Sequence, residues 1–167
     1  MLAPAPPSPG AHAAFDVVLD TNVWLDLLVF ADHGVRTIAG ALEDGRLRAR
    51  IDEFGTSELA RVLSYRLGRH QLDCAAQATI IASCTAMACG FTRDPAAAPS
   101  AQALPQCRDP HDQPFLELTR DCGARWLITK DRDLLMLARN HARLRGFAIL
   151  TPQAATALLR KSAESGD

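Results

Sequence analysis

The sequence lacks the features that mark several special classes of protein. No apolar run approaches the ~20 residues that a membrane-spanning helix requires, so no membrane contact is expected. The N-terminus has neither a basic start nor a sustained apolar core, so we predict no secretory signal and a cytoplasmic location. The sequence contains no internal repeat.

The cysteines lack the spacing of a metal site or a disulfide framework. There are five of them, an odd number, and no C-x-x-C pair occurs, which fits neither a zinc site nor a secreted disulfide-linked domain. We expect small buried hydrophobic side chains in a reducing compartment. They are Cys74, Cys84, Cys89, Cys107 and Cys122.

A strong excess of charge is also missing, since the net charge is only −1 at pH 7. Setting aside the four acidic residues discussed below leaves the remaining surface at +3, and sixteen of the eighteen basic residues are arginine. Arginine suits bidentate contacts with phosphate. A nucleic-acid-binding surface and an ordinary solvated surface explain the arginine groups equally well. The groups are Arg46, Arg48 and Arg50, then Arg61, Arg66 and Arg69, and finally Arg139, Arg143 and Arg145.

The size and composition are those of one soluble globular domain. The chain has 167 residues, of which 48% are apolar and 22% charged. We predict a single domain over residues 15–160. Residues 1–14, which are rich in Pro and Ala, predict a disordered tail, and residues 161–167 predict a polar C-terminal tail.

Predicted strands and helices alternate along the chain, which favours an α/β fold with a mostly parallel sheet covered on both faces. The predicted strands are Phe15–Asp20, Leu47–Ile51, Trp126–Thr129 and Phe147–Leu150. The predicted helices are Asn22–Phe30, Val35–Asp44, one that Thr56 or Ser57 caps and Gly68 ends, Leu72–Ala88, Asp112–Cys122, Asp131–Asn140 and Pro152–Arg160. Residues 92–106 predict an irregular loop, long enough to suggest function or disorder.

Four acidic residues occupy similar places in these elements. Asp20 ends the first strand, and Asp131 follows the strand at Trp126–Thr129. Glu58 is expected in the first turn of its helix, and Asp112 begins another helix. A parallel sheet brings strand C-termini and helix N-termini to one edge, where ligands bind in open α/β sheets. All four acids are therefore candidates for one site.

Helix capping is the simpler explanation for any one of these acids, and it contributes ~0.3–1 kcal/mol. A cluster behaves differently, because two carboxylates ~5 Å apart repel by roughly 3 kcal/mol at an effective dielectric of ~20. Several such pairs outweigh the helix dipoles, so a cluster needs protons or a cation. Oxygen ligands without paired His or Cys select a hard ion, Mg²⁺ or Mn²⁺.

At these residues the chain resembles the PIN domain, a family of metal-dependent ribonucleases. It is especially similar to the branch of toxin components from bacterial toxin–antitoxin pairs. The resemblance runs in order from about Phe15 to Leu158, and it implies a PIN-like three-layer α/β/α sandwich. The matching segments are residues 17–23 (VVLDTNV), 58–63 (ELARVL), 109–118 (DPHDQPFLEL), 127–135 (LITKDRDLL) and 149–152 (ILTP).

The resemblance implies that four acids bind Mg²⁺ or Mn²⁺ and catalyse phosphodiester hydrolysis: Asp20, Glu58, Asp112 and Asp131. Asp20 is the candidate to bridge ions, and Glu58 binds directly or through water. Asp112 is chosen over Asp109 because it lies at the family's usual distance before Gly123, which leaves Asp109 as a loop or supporting residue.

The resemblance also implies supporting roles for other polar residues. Asn22 and Thr129 match positions that brace the acids, although backbone capping explains them equally well. Asp133 resembles an accessory acid, and helix capping explains it as well. His111 is a candidate for proton transfer, but an exposed loop histidine is the more common case.

Two other functions are alternatives to a ribonuclease. A haloacid-dehalogenase-type phosphatase needs a second Asp two residues after Asp20, where this chain has Asn22. A catalytically silent RNA-binding or protein-interaction module on the same fold is the main alternative.

The partners expected from the resemblance are single-stranded or structured RNA, a small antitoxin protein and a second copy of the chain. The apolar helix Cys74–Ala88 is a candidate for a dimer interface or for the core.

Overall fold

Five parallel strands form the centre of the fold. The computed structural model describes residues 14–67, 71–93, 104–140 and 146–164. Across the sheet the strand order is β3-β2-β1-β4-β5, and every neighbouring pair is parallel. The strands are β1 (Phe15–Leu19), β2 (Leu47–Ile51), β3 (Ala88–Gly90), β4 (Trp126–Ile128) and β5 (Ala148–Leu150).

Helices connect the strands in the part of the chain that the structure describes. A short 3-10 turn, His33–Val35, precedes the second of them. The helices are α1 (Thr21–Leu28), α2 (Arg36–Glu43), α3 (Glu53–Leu63), α4 (Cys74–Met87), α5 (Gln113–Asp121), α6 (Arg132–Asn140) and α7 (Pro152–Glu164).

The helices bury both faces of the sheet. In β1, Val17 and Leu19 face one core, which α1, α2, α3, α4 and α7 cover. Val18 faces the opposite core, which α5 and α6 cover. Successive strand residues point to opposite faces, so a strand buried on both sides has a continuous apolar sequence. The predicted three-layer α/β/α sandwich with a parallel sheet is confirmed.

The strand order reverses beside β1. The chain continues from β1 to β2 and β3 on one side, whereas β4 and β5 lie on the other. Connections that leave neighbouring strands in opposite directions open a crevice at the carboxyl ends of those strands. Asp20, which follows β1, and Asp131, which follows β4, therefore flank the switch point.

The predicted start and end of α3 are wrong. Neither Thr56 nor Ser57 caps this helix, because it begins earlier, at Glu53. Asp52 directly follows β2, and its carboxylate accepts a hydrogen bond from the Gly55 amide at 2.8 Å. An aspartate at the strand end therefore satisfies the free amides of the first turn sooner than the predicted cap.

This earlier start changes the position of Glu58. The residue lies in the second turn of α3, not in the predicted first turn, and the helix ends at Leu63. Gly68, the predicted end, lies outside the described residues.

The sequence did not predict β3. The predicted long helix extends to Ala88, but α4 ends at Met87, and Ala88 pairs with Ala49 of β2. The strand contains only Ala, Cys and Gly, so it lacks the apolar run that indicates a buried strand. Of the predicted loop, residues 92–93 and 104–106 have no regular structure, and residues 94–103 lie outside the described part.

The chain ends show two further outcomes. Helix α7 continues to Glu164, four residues beyond the predicted end at Arg160. Of the predicted N-terminal tail, residues 1–13 lie outside the described part of the chain.

The expectation for the cysteines is only partly right. All five are free, but Cys84 alone is fully buried, and burial raises the pKa of its thiol to about 12. Cys74 and Cys89 are exposed, and they lie in the first turn of α4 and in the edge strand β3. Helix α4 packs on the core through Ile80, Ile81 and Cys84.

None of the helices that the structure describes combines the length and the apolar character needed to cross a membrane.

Two glycines at α2 provide a test of the local backbone. Gly45, just beyond the helix, has a φ of +77°, whereas Gly40 lies inside the helix and has open space where the methyl group of an alanine would stand. We expect Gly45→Ala to lower the free energy of unfolding by about 1–2 kcal/mol, because an L side chain is strained there. Gly40→Ala is expected to raise it by about 0.5–1 kcal/mol. Urea denaturation of both variants measures the difference, and an equal effect of the two would contradict this assignment.

Candidate active site

Asp20 is the most constrained acid at the switch point. It directly follows β1, begins α1 as its N-cap, and is only 6% exposed. Its amide donates to the Ile128 carbonyl at 3.0 Å, which extends the pairing of β1 with β4. Its Oδ2 atom accepts from Asn22 Nδ2 at 2.6 Å and from Thr129 Oγ1 at 2.5 Å. Two neutral donors thus fix one carboxylate oxygen.

The environment of Asp20 raises the pKa of its carboxyl above the usual value. Burial is the main cause, because a low-dielectric interior disfavours the charged form. The negative charge of Asp131 acts in the same direction. Hydrogen bonds from Thr129, from the Thr21 backbone and from Asn22 oppose the increase. Burial therefore outweighs the hydrogen bonds that stabilise the carboxylate.

Asp131 is positioned by the loop between β4 and α6. Thr129, which is fully buried, donates to Asp20 and accepts from the Asp131 amide at 2.9 Å. The Oδ1 atom of Asp131 accepts from the amides of Asp133 and Leu134 at 2.8 and 3.1 Å. Asp131 is therefore also the capping residue of α6, which is the simpler explanation considered above for each acid. Both capping bonds are made to the same oxygen, Oδ1.

Asp112 is the least stabilised of the candidate acids. It lies at the N-cap of α5, yet its side chain makes no capping hydrogen bond. The pKa of its carboxyl is raised to about 6, mainly by burial and then by the nearby acidic charges of Asp131, Asp20, Asp109 and Asp133. Asp112 thus shares a negatively charged region with Asp20 and Asp131.

Asp109 and His111 form a separate exposed pair. The Oδ1 atom of Asp109 accepts from the His111 amide at 2.9 Å and lies 3.2 Å from His111 Nδ1. These hydrogen bonds lower the pKa of Asp109, in contrast to Asp112 three residues later. The structure therefore distinguishes the two aspartates of this loop: Asp109 has a partner and lies at the surface, and Asp112 is half-buried and crowded by other acids.

Glu58 is held by an arginine. Its two carboxylate oxygens accept hydrogen bonds from Nε and Nη2 of Arg61 at 2.8 and 2.6 Å. The Glu58 side chain is 15% exposed, and Arg61 also donates to the Tyr65 hydroxyl at 3.1 Å. The bonds with Glu58 raise the pKa of Arg61 above its usual range. Glu58 is not among the charges that contribute most to the pKa of Asp112, and a metal ion at Glu58 would compete with Arg61.

The donor set fits a hard divalent cation. Asp20, Asp112 and Asp131 offer carboxylate oxygens. Burial is the main cause of the raised pKa of Asp20 and of Asp112, and repulsion from neighbouring acids adds to it in both cases. A cation would remove this repulsion and favour the charged forms. Among the described residues, no group of three or more His, Cys, Asp or Glu side chains lies close enough together to hold a metal ion, so the three acids would have to move closer to bind one.

One charged pair beside these acids is not predicted by the sequence patterns. Lys130, between Thr129 and Asp131, places its Nζ atom 2.6 Å from Oδ2 of Asp26 in α1. Asp26 lies four residues after Asn22, so both are on one face of the helix. The i, i+4 spacing of Asn22 and Asp26 indicates that Asp26 lies on the same side of α1 as the site. It does not indicate that Lys130, 104 residues later, is the partner of Asp26.

A protein-family model of the PIN domain matches residues 16–133, more than two thirds of the chain. The chain belongs to the PIN domain family. PIN domains are typically nucleases, and the family generally uses divalent metal ions. The matched part of this PIN domain contains Asp20, Glu58, Asp112 and Asp131. A search of curated proteins found no match to the chain.

The burial of Asp112 and the repulsion around it are expected to lower the stability of the metal-free PIN domain at neutral pH. Because the pKa of Asp112 is raised in the folded state, its contribution to the free energy of unfolding falls as the pH rises from about 4 to about 6. Without metal at pH 7.5, we expect Asp112→Asn to raise that free energy by about 1 kcal/mol after allowing for solvent screening. This corresponds to about 2–4 °C in Tm.

Thermal unfolding in EDTA at pH 4.5 and pH 7.5 measures this effect, and the gain is expected to be much smaller at the lower pH. The matched control is Asp109→Asn on the same loop, whose carboxyl has a lowered pKa. That variant is expected to leave Tm unchanged or lower it. A lower Tm for Asp112→Asn at pH 7.5 would contradict the proposed crowding.

Proposed function

We propose that this chain is a metal-dependent ribonuclease that hydrolyses phosphodiester bonds of single-stranded or structured RNA. The supporting observation is the crowding of Asp20, Asp112 and Asp131 at the switch point of a PIN domain sheet. Carboxylates crowded in this way raise the free energy of the metal-free protein, and they are typical of sites that bind cations or move protons.

In this proposal, Asp20, Asp112 and Asp131 hold Mg²⁺ or Mn²⁺. The bound ion supplies an activated water and stabilises charge on the phosphate and the leaving oxygen. Asn22 and Thr129 hold the Asp20 carboxylate in one orientation, so that it does not reorient during the reaction. Glu58 would bind the metal ion directly or through a water molecule, once Arg61 no longer occupies its carboxylate. Asp133 and Asp109 contribute negative charge around Asp112.

Two exposed arginines favour a polyanionic substrate. Arg108 precedes Asp112 by four residues, and Arg132 directly follows Asp131. Neither has an ion-pair partner among the described residues. An unpaired guanidinium beside a metal-binding cluster suits bidentate contact with a phosphate that flanks the bond to be cut.

The main alternative is a silent RNA-binding or protein-interaction module on the PIN fold. Nothing in the packing of the described residues requires the unstabilised carboxylate of Asp112, so the structure favours an active site over this alternative. A phosphatase of the haloacid dehalogenase type is disfavoured further. At the position of its general acid this chain has Asn22, whose amide donates to Asp20.

Cleavage of RNA by the purified protein tests the proposal. We expect Mn²⁺- or Mg²⁺-dependent cleavage that Asp20→Asn reduces by about 100-fold or more, the scale of losing one group that stabilises the transition state. Asp44→Asn, which alters an exposed aspartate paired with Arg46, is the matched control and is expected to retain activity. Cleavage that survives in Asp20→Asn would identify a contaminating nuclease and reject the proposal.

The same assay separates the alternatives. Metal-independent RNA binding without cleavage would support the silent module. Hydrolysis of a small phosphomonoester with intact RNA would support the phosphatase. Parallel reactions with single-stranded DNA and with structured RNA define the substrate class.

We propose, from the similarity to the toxin branch of the family, that the chain is a cytoplasmic toxin neutralised by a small antitoxin and that it forms a homodimer. The outer face of α4 is partly exposed and offers a surface for such contacts.

Expression in bacteria tests the toxin role. We expect the wild type to arrest growth, Asp20→Asn to be tolerated, and co-expression of a short neighbouring reading frame to restore growth. Light scattering of the purified protein measures the dimer. Equal growth of the wild type and Asp20→Asn at equal protein levels would contradict the toxin role.

A further inference from the structure

The Asp26–Lys130 ion pair joins α1 to the loop that carries Asp131. The Asp26 side chain is 7% exposed, the Lys130 side chain is 44% exposed, and their charged atoms lie 2.6 Å apart. A buried carboxylate is costly unless it is paired, and the ion pair with Lys130 offsets the cost of burying Asp26. The pair therefore connects parts of the chain separated by about one hundred residues.

Lys130 contacts α1 at a second point. Its backbone amide donates to Asn22 Oδ1 at 3.3 Å, while the amide group of Asn22 donates to Asp20. Asn22 and Asp26 are four residues apart and lie on one face of the helix. The loop is thus attached to α1 by both its backbone and the Lys130 side chain, immediately before Asp131.

This attachment opposes a defined force. Asp20 begins α1, Asp131 follows Lys130, and the negative charges of these two acids repel each other. Without a cation, the repulsion acts to separate the loop from α1. An ion pair between the same two elements, within one residue of Asp131, resists that separation.

We propose that Asp26 and Lys130 are positioning residues that hold the Asp131 loop against α1 and so keep the metal-binding acids together before the cation arrives. This inference rests on the proposed metal-dependent function. Lys130 then acts through its partner Asp26 and does not contact the substrate, although an exposed lysine beside a phosphate-cleaving site is the usual candidate for such contact.

The sign of the effect on metal binding separates positioning from simple electrostatics. Lys130→Met removes a positive charge near the site, so electrostatics alone predicts tighter Mn²⁺ binding. Positioning gives the opposite result: we expect Lys130→Met and Asp26→Asn each to weaken Mn²⁺ binding about tenfold, the lower end of the range for supporting residues of metal sites. The double variant is expected to match the single variants, because the pair acts as a unit.

Calorimetric titration with Mn²⁺ measures these affinities, and Lys130→Arg is expected to retain most of the wild-type affinity. Hydrogen exchange in EDTA provides a readout without metal: the amides of residues 131–134 are expected to exchange faster in Lys130→Met. In RNA cleavage, kcat at limiting Mn²⁺ is expected to fall while KM for RNA is unchanged. The double variant has no unpaired buried charge, so it remains a usable test if Lys130→Met does not fold.

The outcomes distinguish this inference from the proposed function. Wild-type-like or tighter Mn²⁺ binding by Lys130→Met, with unchanged hydrogen exchange, overturns the positioning role and leaves the ribonuclease proposal intact. A wild-type protein that binds no Mn²⁺ overturns both. A raised KM for RNA at unchanged Mn²⁺ affinity assigns Lys130 to the substrate and also overturns the inference.

Discussion

The hydroxyl group of Thr129 is the interaction on which the arrangement of the site depends. It is fully buried at the end of β4, donates to Asp20 at the end of β1, and accepts from the amide of Asp131. One side chain thus sets the spacing between two acids that repel each other. A valine of the same shape would fill the space but would leave the amide of Asp131 and the buried oxygen of Asp20 without this partner, which is the costly case for a buried polar group.

The candidate acids are stabilised to different degrees. Glu58 accepts two hydrogen bonds from the positively charged Arg61, and Asp131 accepts hydrogen bonds from backbone amides at the start of α6. Asp112 has neither kind of support. A fold selected for stability alone has no use for a half-buried carboxylate in this state. The fold therefore gives up stability at Asp112, and the binding of a cation would recover it through linkage.

Much of this arrangement follows from local sequence patterns, and the remainder depends on contacts across the fold. The apolar runs before Asp20 and before Thr129 predict buried parallel strands, and the register of β1 with β4 brings their ends together. The β3 strand of Ala, Cys and Gly gives no such signal, because its pairing with β2 is a property of the sheet. The start of α3 differs from the prediction because Asp52, directly after β2, caps the helix before the chain reaches Thr56 and Ser57. The Asp26–Lys130 pair is not visible in the sequence, since its members are far apart in the chain.

The position of β1 at the centre of the sheet has a consequence for synthesis of the chain. β1 is made first, but its neighbour β4 is made more than one hundred residues later, after α5. A nascent chain on the ribosome therefore carries Asp20 without Thr129, Asp112 or Asp131. The acidic cluster forms only after β4 and Asp131, which lie in the last third of the chain, have emerged and the long-range pairing of β1 with β4 has formed. During translation the chain is surrounded by ribosomal and messenger RNA, and the order of its strands delays assembly of the cluster until translation is nearly complete.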